Sequence, residues 1–165
     1  MFSDSIRFAL VVLTRASQVA LIASIFCSSL PSAHAAENLK LLPGISFTQD
    51  DGPGFPIVGD KMDDVAIEPG KPTFIFFGAA KNMNTNRQAK RLCHLYKKNA
   101  ATTKFIVIDV DNPPNEAARQ LLRKYYQSYV PAQLLLDANG KQVWSQIGEV
   151  QKGKLHAYLT ENVQM

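Results

Sequence analysis

Two runs of hydrophobic residues along the chain set the framework. Thr73-Phe74-Ile75-Phe76-Phe77 and Phe105-Ile106-Val107-Ile108 are continuous and of strand length. Unbroken apolar runs, as opposed to alternating ones, are expected of strands covered on both faces. Between them, Ala89, Leu92, Cys93 and Tyr96 recur at helical spacing, which predicts a helix over Asn86 to Asn99. After the second run, Asn112-Pro113-Pro114 breaks the chain and Asn115 stands as a helix cap. Glu116 in the first turn and Arg123 and Lys124 near the end suit the helix dipole, with Ala118, Leu121, Leu122 and Tyr125 as the core face. A strand from Gln133 to Leu136, a tight Asp137-Ala138-Asn139-Gly140 turn and a strand from Lys141 to Ile147 predict a hairpin. Gly148 then turns the chain into a last helix over about Gln151 to Val163. A strand–helix–strand unit requires a parallel pair with a right-handed crossover, and the hairpin adds antiparallel strands. The expected fold is therefore α/β, with a mixed central sheet and helices on both faces.

Residues 36–62 lack such a pattern. Pro43-Gly44, Asp50-Asp51-Gly52-Pro53-Gly54, Pro56 and Gly59 predict an irregular lead-in, with a short strand near Ile45 to Thr48. Asp63 to Ile67 reads as a short edge strand opening the main domain, 63–165, before the Pro69-Gly70 turn. The first 35 residues differ again. Arg7 and Arg15 precede an apolar run, Val19 to Cys27, followed by Pro31 and Ala33-His34-Ala35. That is the layout of a secretory signal peptide cleaved after Ala35. A membrane anchor is the alternative, but the apolar run is short of the ~20 residues a spanning helix needs. The chain is thus expected to be periplasmic or secreted, with no stable membrane span after cleavage.

Composition adds two limits. Removing Arg7, Arg15 and Asp4 from 18 basic and 14 acidic residues leaves 16 and 13, a net +3, too mild to point to nucleic acid. Cys27 leaves with the leader, so Cys93 is a single thiol with no internal disulfide partner.

Val107 to Glu149 resembles the back half of a thioredoxin-like domain. It has a strand ending in an acidic pair, a helix ending in tyrosines, then Val130-Pro131, a strand, an Asn-Gly turn, a strand and a glycine. Lys71-Pro72-Thr73-Phe74-Ile75-Phe76-Phe77-Gly78-Ala79-Ala80 resembles the strand leading into the active site of exported members of that superfamily. The resemblance covers roughly Asp63 to Val163 and implies a three-layer thioredoxin-like fold. It further implies a cis Val130–Pro131 bond beside the active-site turn, with Val130 placed to pair with an extended peptide. A trans proline opening a strand is the alternative.

The resemblance also locates what is absent. It puts Lys81 and Asn84 where the family's two cysteines stand, and Ile75 where many members carry a buried acid. Dithiol exchange needs a thiolate and a resolving thiol beside it, and an amine and an amide supply neither. Cys93, well inside its helix, reads either as a lone reactive thiol near Lys90 and Lys97 or as a small buried hydrophobe. His94 and His156 lie far apart, no ligand spacing suggests a metal site, and no cofactor motif is present. Asp109 and Asp111 at a strand end read as a solvated turn.

What remains is a surface. Lys81, Asn82, Met83 and Asn84, with Val130 and Pro131, are the candidate lining of a groove for a protein or extended peptide, bound by strand addition. Arg87, Arg91, His94 and Lys98 fall on one helix face, in a segment 81–98 that holds six lysines and arginines and no acid. Such a face either attracts an acidic partner or is merely solvated. The expected function is that of an exported, redox-inactive binding or accessory module. The rival is a thiol oxidoreductase or peroxidase that uses Cys93.

Overall fold

The computed structural model describes residues 36–163, so the signal-peptide reading of 1–35 lies outside the described residues. The elements in chain order are β1 (Glu37–Leu41), β2 (Ile57–Asp60), β3 (Thr73–Gly78), α1 (Met83–Asn99), β4 (Lys104–Asp109), α2 (Glu116–Tyr125), β5 (Ala132–Leu136), β6 (Gln142–Ile147) and α3 (Lys152–Val163). Four strands form a mixed sheet in the order β4-β3-β5-β6. β3 pairs parallel with β4 and antiparallel with β5, and β5 pairs antiparallel with β6.

The unbroken apolar runs are explained by two packing clusters. Phe74 and Phe76 of β3, Phe105 and Val107 of β4 and Leu135 of β5 pack with Ala89, Leu92 and Leu95 of α1 and Leu155 and Leu159 of α3. The alternate residues, Ile75, Phe77, Ile106, Ile108, Leu134 and Leu136, pack with Ala118 and Leu121 of α2. Successive side chains of a strand point to opposite faces, so a strand covered on both faces has no polar positions to spare. Burying each such Phe, Leu or Ile contributes about 1.5–3 kcal/mol. The parallel pair β3–β4, with β4 at the sheet edge, is thus buried on both faces, and loops leave its C-terminal ends.

The Asn115 cap follows the sequence expectation, whereas the cap of α1 was not foreseen. Asn115 caps α2 by accepting from the Ala118 N–H at 2.9 Å. α1 begins at Met83, three residues before the predicted Asn86, because Asn82 is its cap and accepts from the Thr85 N–H at 2.8 Å. In the β5–β6 turn, Asp137 Oδ1 accepts from the N–H groups of both Asn139 and Lys141, and Gly140 sits at φ +76°. A side chain that closes its own turn in this way is the reason for aspartate there.

Residues 36–62 require a correction. They carry two strands, β1 and β2, paired antiparallel, where an irregular lead-in was expected. They belong to the same compact unit as the rest of the described residues. Leu39 and Ile57 enter the cluster with α1, and the Asn38 N–H donates to the Tyr96 hydroxyl at 2.9 Å. The predicted strand near Ile45 to Thr48 is a loop instead. Its Ser46 hydroxyl accepts from the N–H groups of Thr48 and Gln49, and Asn86 and Arg87 of α1 donate to the Ser46 and Phe47 carbonyls. Asp63 to Ile67 is likewise no strand, since the Asp64 carboxylate accepts from the Ala66 N–H and bends the chain.

Candidate functional site

The turn at the C-terminal end of β3 is held by its own backbone chemistry. Gly78 is required there, because a Cβ would lie 2.6 Å from Thr85 Cγ2 and 2.9 Å from Phe76 Cε1. Lys81 adopts φ +55°, in the left-handed region, and its side chain is exposed. Asn82 spends its side-chain Oδ1 on the cap, and the Met83 N–H donates to Asp50 Oδ1 at 2.8 Å. The Asn84 side chain accepts from the Arg87 guanidinium. Of the four predicted groove residues in the turn, Asn82 and Asn84 are therefore committed to structure, while Lys81 is exposed and Met83 half-buried.

Val130 and Pro131 stand at the same end of the sheet. Phe77 pairs with Ala132, so the chain leaving β3 and the chain entering β5 run side by side one step beyond that pair. The Val130–Pro131 bond is cis. The Pro131 carbonyl accepts from the Gly148 N–H at 2.7 Å, which fixes the entry to β5 against the exit of β6. Val130 itself is half-buried. The register thus sets the start of the turn 79–84 at the same end of the sheet as Val130-Pro131, although the cavities described have other linings.

Beneath the turn lies a buried polar link that the sequence did not announce. Gln88 Nε2 of α1 donates to Gln133 Oε1 of β5 at 2.7 Å, and both side chains are buried. Gln133 Nε2 donates to the Gly148 carbonyl, while Gln88 Oε1 accepts from the Val150 N–H and from Arg91. A buried amide leaves an uncompensated cost unless its groups are paired, and here the pairing clamps the 148–150 loop to α1. That clamp delivers Glu149 to the basic face. Its carboxylate receives Arg87 Nε at 2.7 Å and Arg91 Nη1 at 2.6 Å. Burial raises the Glu149 pKa, but the hydrogen bonds and charges of the two arginines outweigh it and hold the carboxyl below its ordinary 4.5.

The predicted basic face is therefore split. Arg87 and Arg91 are paired within the chain, whereas His94 and Lys98 are exposed. A cleft of about 500 Å³ runs along this face, lined by Phe47, Arg87, Lys90, Arg91, His94 and Lys152. Lys90 Nζ lies 5.0 Å above the Phe47 ring centroid. The charge of Lys152, then burial, then the charges of Lys98 and Lys97 hold the His94 imidazole below its ordinary 6.5. Phe47, Glu149 and Lys152 were missed in sequence. The pairing of Glu149 crosses 62 positions, and only an acid next to Gly148 at the end of a predicted hairpin hinted at it.

Cys93 is a free thiol, 6% exposed, packed with Leu92 and Phe105 in the α1 cluster. Burial pushes its pKa up to about 11, against smaller opposing effects of the Lys97 charge and a backbone hydrogen bond. At neutral pH about one thiol in ten thousand is then ionised. Asp109 accepts from the Asp111 N–H and from Asn112, the pattern of a solvated turn. Among the described residues no group of three or more His, Cys, Asp or Glu side chains is placed to hold a metal, and no helix is long and apolar enough to cross a membrane. No protein-family model matches the chain, and no curated protein matches it in sequence.

Proposed function

We propose that this chain is an exported, redox-inactive thioredoxin-like domain that binds a protein partner as an extended peptide at the turn 79–84 and Val130-Pro131. The observation that carries this reading is what stands at the end of the sheet where β3 leaves and Val130-Pro131 enters β5. The adjoining turn presents Lys81 and Met83 and no sulfur nucleophile, and the chain's described thiol lies buried within α1. Further support comes from the strand and helix order β3-α1-β4-α2-β5-β6-α3, from the mixed sheet, and from the division of the core between α1 with α3 and α2. These are the features that the sequence resemblance implies for a three-layer thioredoxin-like fold. Periplasmic or secreted placement rests on the leader-like segment 1–35.

Strand addition gives affinity through main-chain hydrogen bonds, so the test removes a backbone donor. Val130→Pro deletes the Val130 N–H while leaving both core clusters intact. The wild-type chain, used as bait in an envelope extract, should capture a partner that Val130→Pro fails to capture at unchanged thermal stability. Equal capture by the two baits would refute the groove.

A further inference from the structure

We propose that the cleft between α1 and α3 binds the carboxylate side chains of an acidic, extended peptide segment of a partner protein. The inference deepens the peptide-binding reading by naming the peptide's chemistry, and it rests on that reading for the macromolecular nature of the ligand. The cleft and the turn share a hydrogen-bonded neighbour, because Asn84 of the turn accepts from the Arg87 guanidinium that lines the cleft and also binds the Phe47 carbonyl and Glu149.

Charge and spacing select the ligand. Glu149 already satisfies Arg87 and Arg91, which shows how a carboxylate seats on this face. Lys90, His94 and Lys152 line the same cleft with no acid of their own. Around His94 stand Lys90, Arg91, Lys97 and Lys98 on its own helix and Lys152 on α3. Glu149 is paired with the arginines, Asp50 of the Phe47 loop accepts from the Met83 N–H, and Asp51 beside it is exposed. A second anion is therefore favoured by the cationic lining, in which the Phe47 ring holds Lys90 Nζ 5.0 Å from its centroid.

A single phosphate wants donors that converge on one point, whereas these cations are strung along a helix. Lys90 and His94 in the cleft, and Lys98 just beyond it, follow one another at four-residue intervals, a rise of about 6 Å each. Alternate side chains of an extended chain recur at about 6.7 Å on one face. Glutamates or aspartates at every second position of a peptide thus match the cationic row almost step for step. Binding of such a peptide also relieves the repulsion on His94, so proton uptake by that ring accompanies it and affinity rises as the pH falls through the imidazole range.

The test titrates the full chain with a short peptide carrying three glutamates at alternate positions, at low ionic strength where screening is weak. The double variant Lys90→Glu with Lys152→Glu, both positions exposed, should bind about tenfold or more weakly, while Lys141→Glu on the β5–β6 turn should leave binding unchanged. The His94 ring, followed by NMR, should titrate at higher pH in the peptide-saturated protein. Equal binding by the double variant, an equal loss with Lys141→Glu, or an unmoved His94 titration would overturn the proposal. So would inorganic phosphate that competes at the peptide's own affinity. Val130→Pro separates the two readings. Loss with Val130→Pro but not with the cleft variants defeats the acidic cleft alone, and the reverse result defeats the groove alone.

Discussion

Gln88 on α1 and Gln133 on β5 share a hydrogen bond of 2.7 Å in the interior, and through it the sheet positions the loop that bears Glu149. Both residues are buried, so the pair exchanges water for a closed set of amide contacts. Replacing Gln133 by Leu strands the Gln88 amide and the Gly148 carbonyl. The expected cost is about 2 kcal/mol in urea unfolding. In a double-mutant cycle with Gln88→Leu the two changes should be non-additive, with coupling of roughly 0.5–3 kcal/mol. Additive losses would show that the pair does not act as a unit.

Glu149 ties acid stability to the same loop. Its folded pKa is lower than the unfolded value of 4.5, so its contribution is complete above that pH. It is lost as pH falls through 4.5 and then through the folded value. Glu149→Gln should leave a protein whose stability falls less steeply below pH 4.5 than that of the wild type, measured by thermal melts across the acid range. Because the ion pairs are partly solvated, the loss at neutral pH should be only about 1 kcal/mol. Parallel pH profiles for the two proteins would contradict the assignment.

The turn that carries the proposed groove depends on the α1 cap. Asn82→Ala removes the acceptor of the Thr85 N–H and should cost about 1 kcal/mol. Asn82→Asp keeps the acceptor and should restore most of it. A comparable loss in both variants would place the role of Asn82 elsewhere.

Much of the framework was legible in the sequence because its signals are local. The unbroken runs at 73–77 and 105–108, the Asn115 cap and the Asp137–Gly140 turn each depend on residues within a few positions of one another, and each appears where expected. The parts that were not legible depend on distant partners. β1 and β2 are short, surrounded by glycine and proline, and pair across a loop of about fifteen residues, so only Leu39 and Ile57 betray a core face. The stretch 45–48 has strand-like residues, yet its carbonyls are claimed by Asn86 and Arg87. The basic face had the right members, but its neutralising acid arrives from the 148–150 loop through buried glutamines that no periodicity marks. The candidate turn was located by resemblance, while the commitment of Asn82 and Asn84 to capping and to Arg87 emerged only from the hydrogen bonds.

Cys93 behaves as a core residue. With a pKa near 11 against an ordinary 9.0, its alkylation by iodoacetamide at pH 7 should run about a hundredfold slower than that of an unfolded control of the same chain. Cys93→Ala should fold with a loss of about 1 kcal/mol, the order expected for trimming one heavy atom from a packed site. Rapid labelling in the folded state would show that α1 opens to expose the sulfur.

The central claim is that no thiol relay operates at the turn beside Pro131. Insulin reduction with dithiothreitol, run with wild type and with Cys93→Ala, tests it most directly. The account predicts that both proteins leave the rate at the protein-free background. Turnover by the wild type that disappears in Cys93→Ala would contradict it.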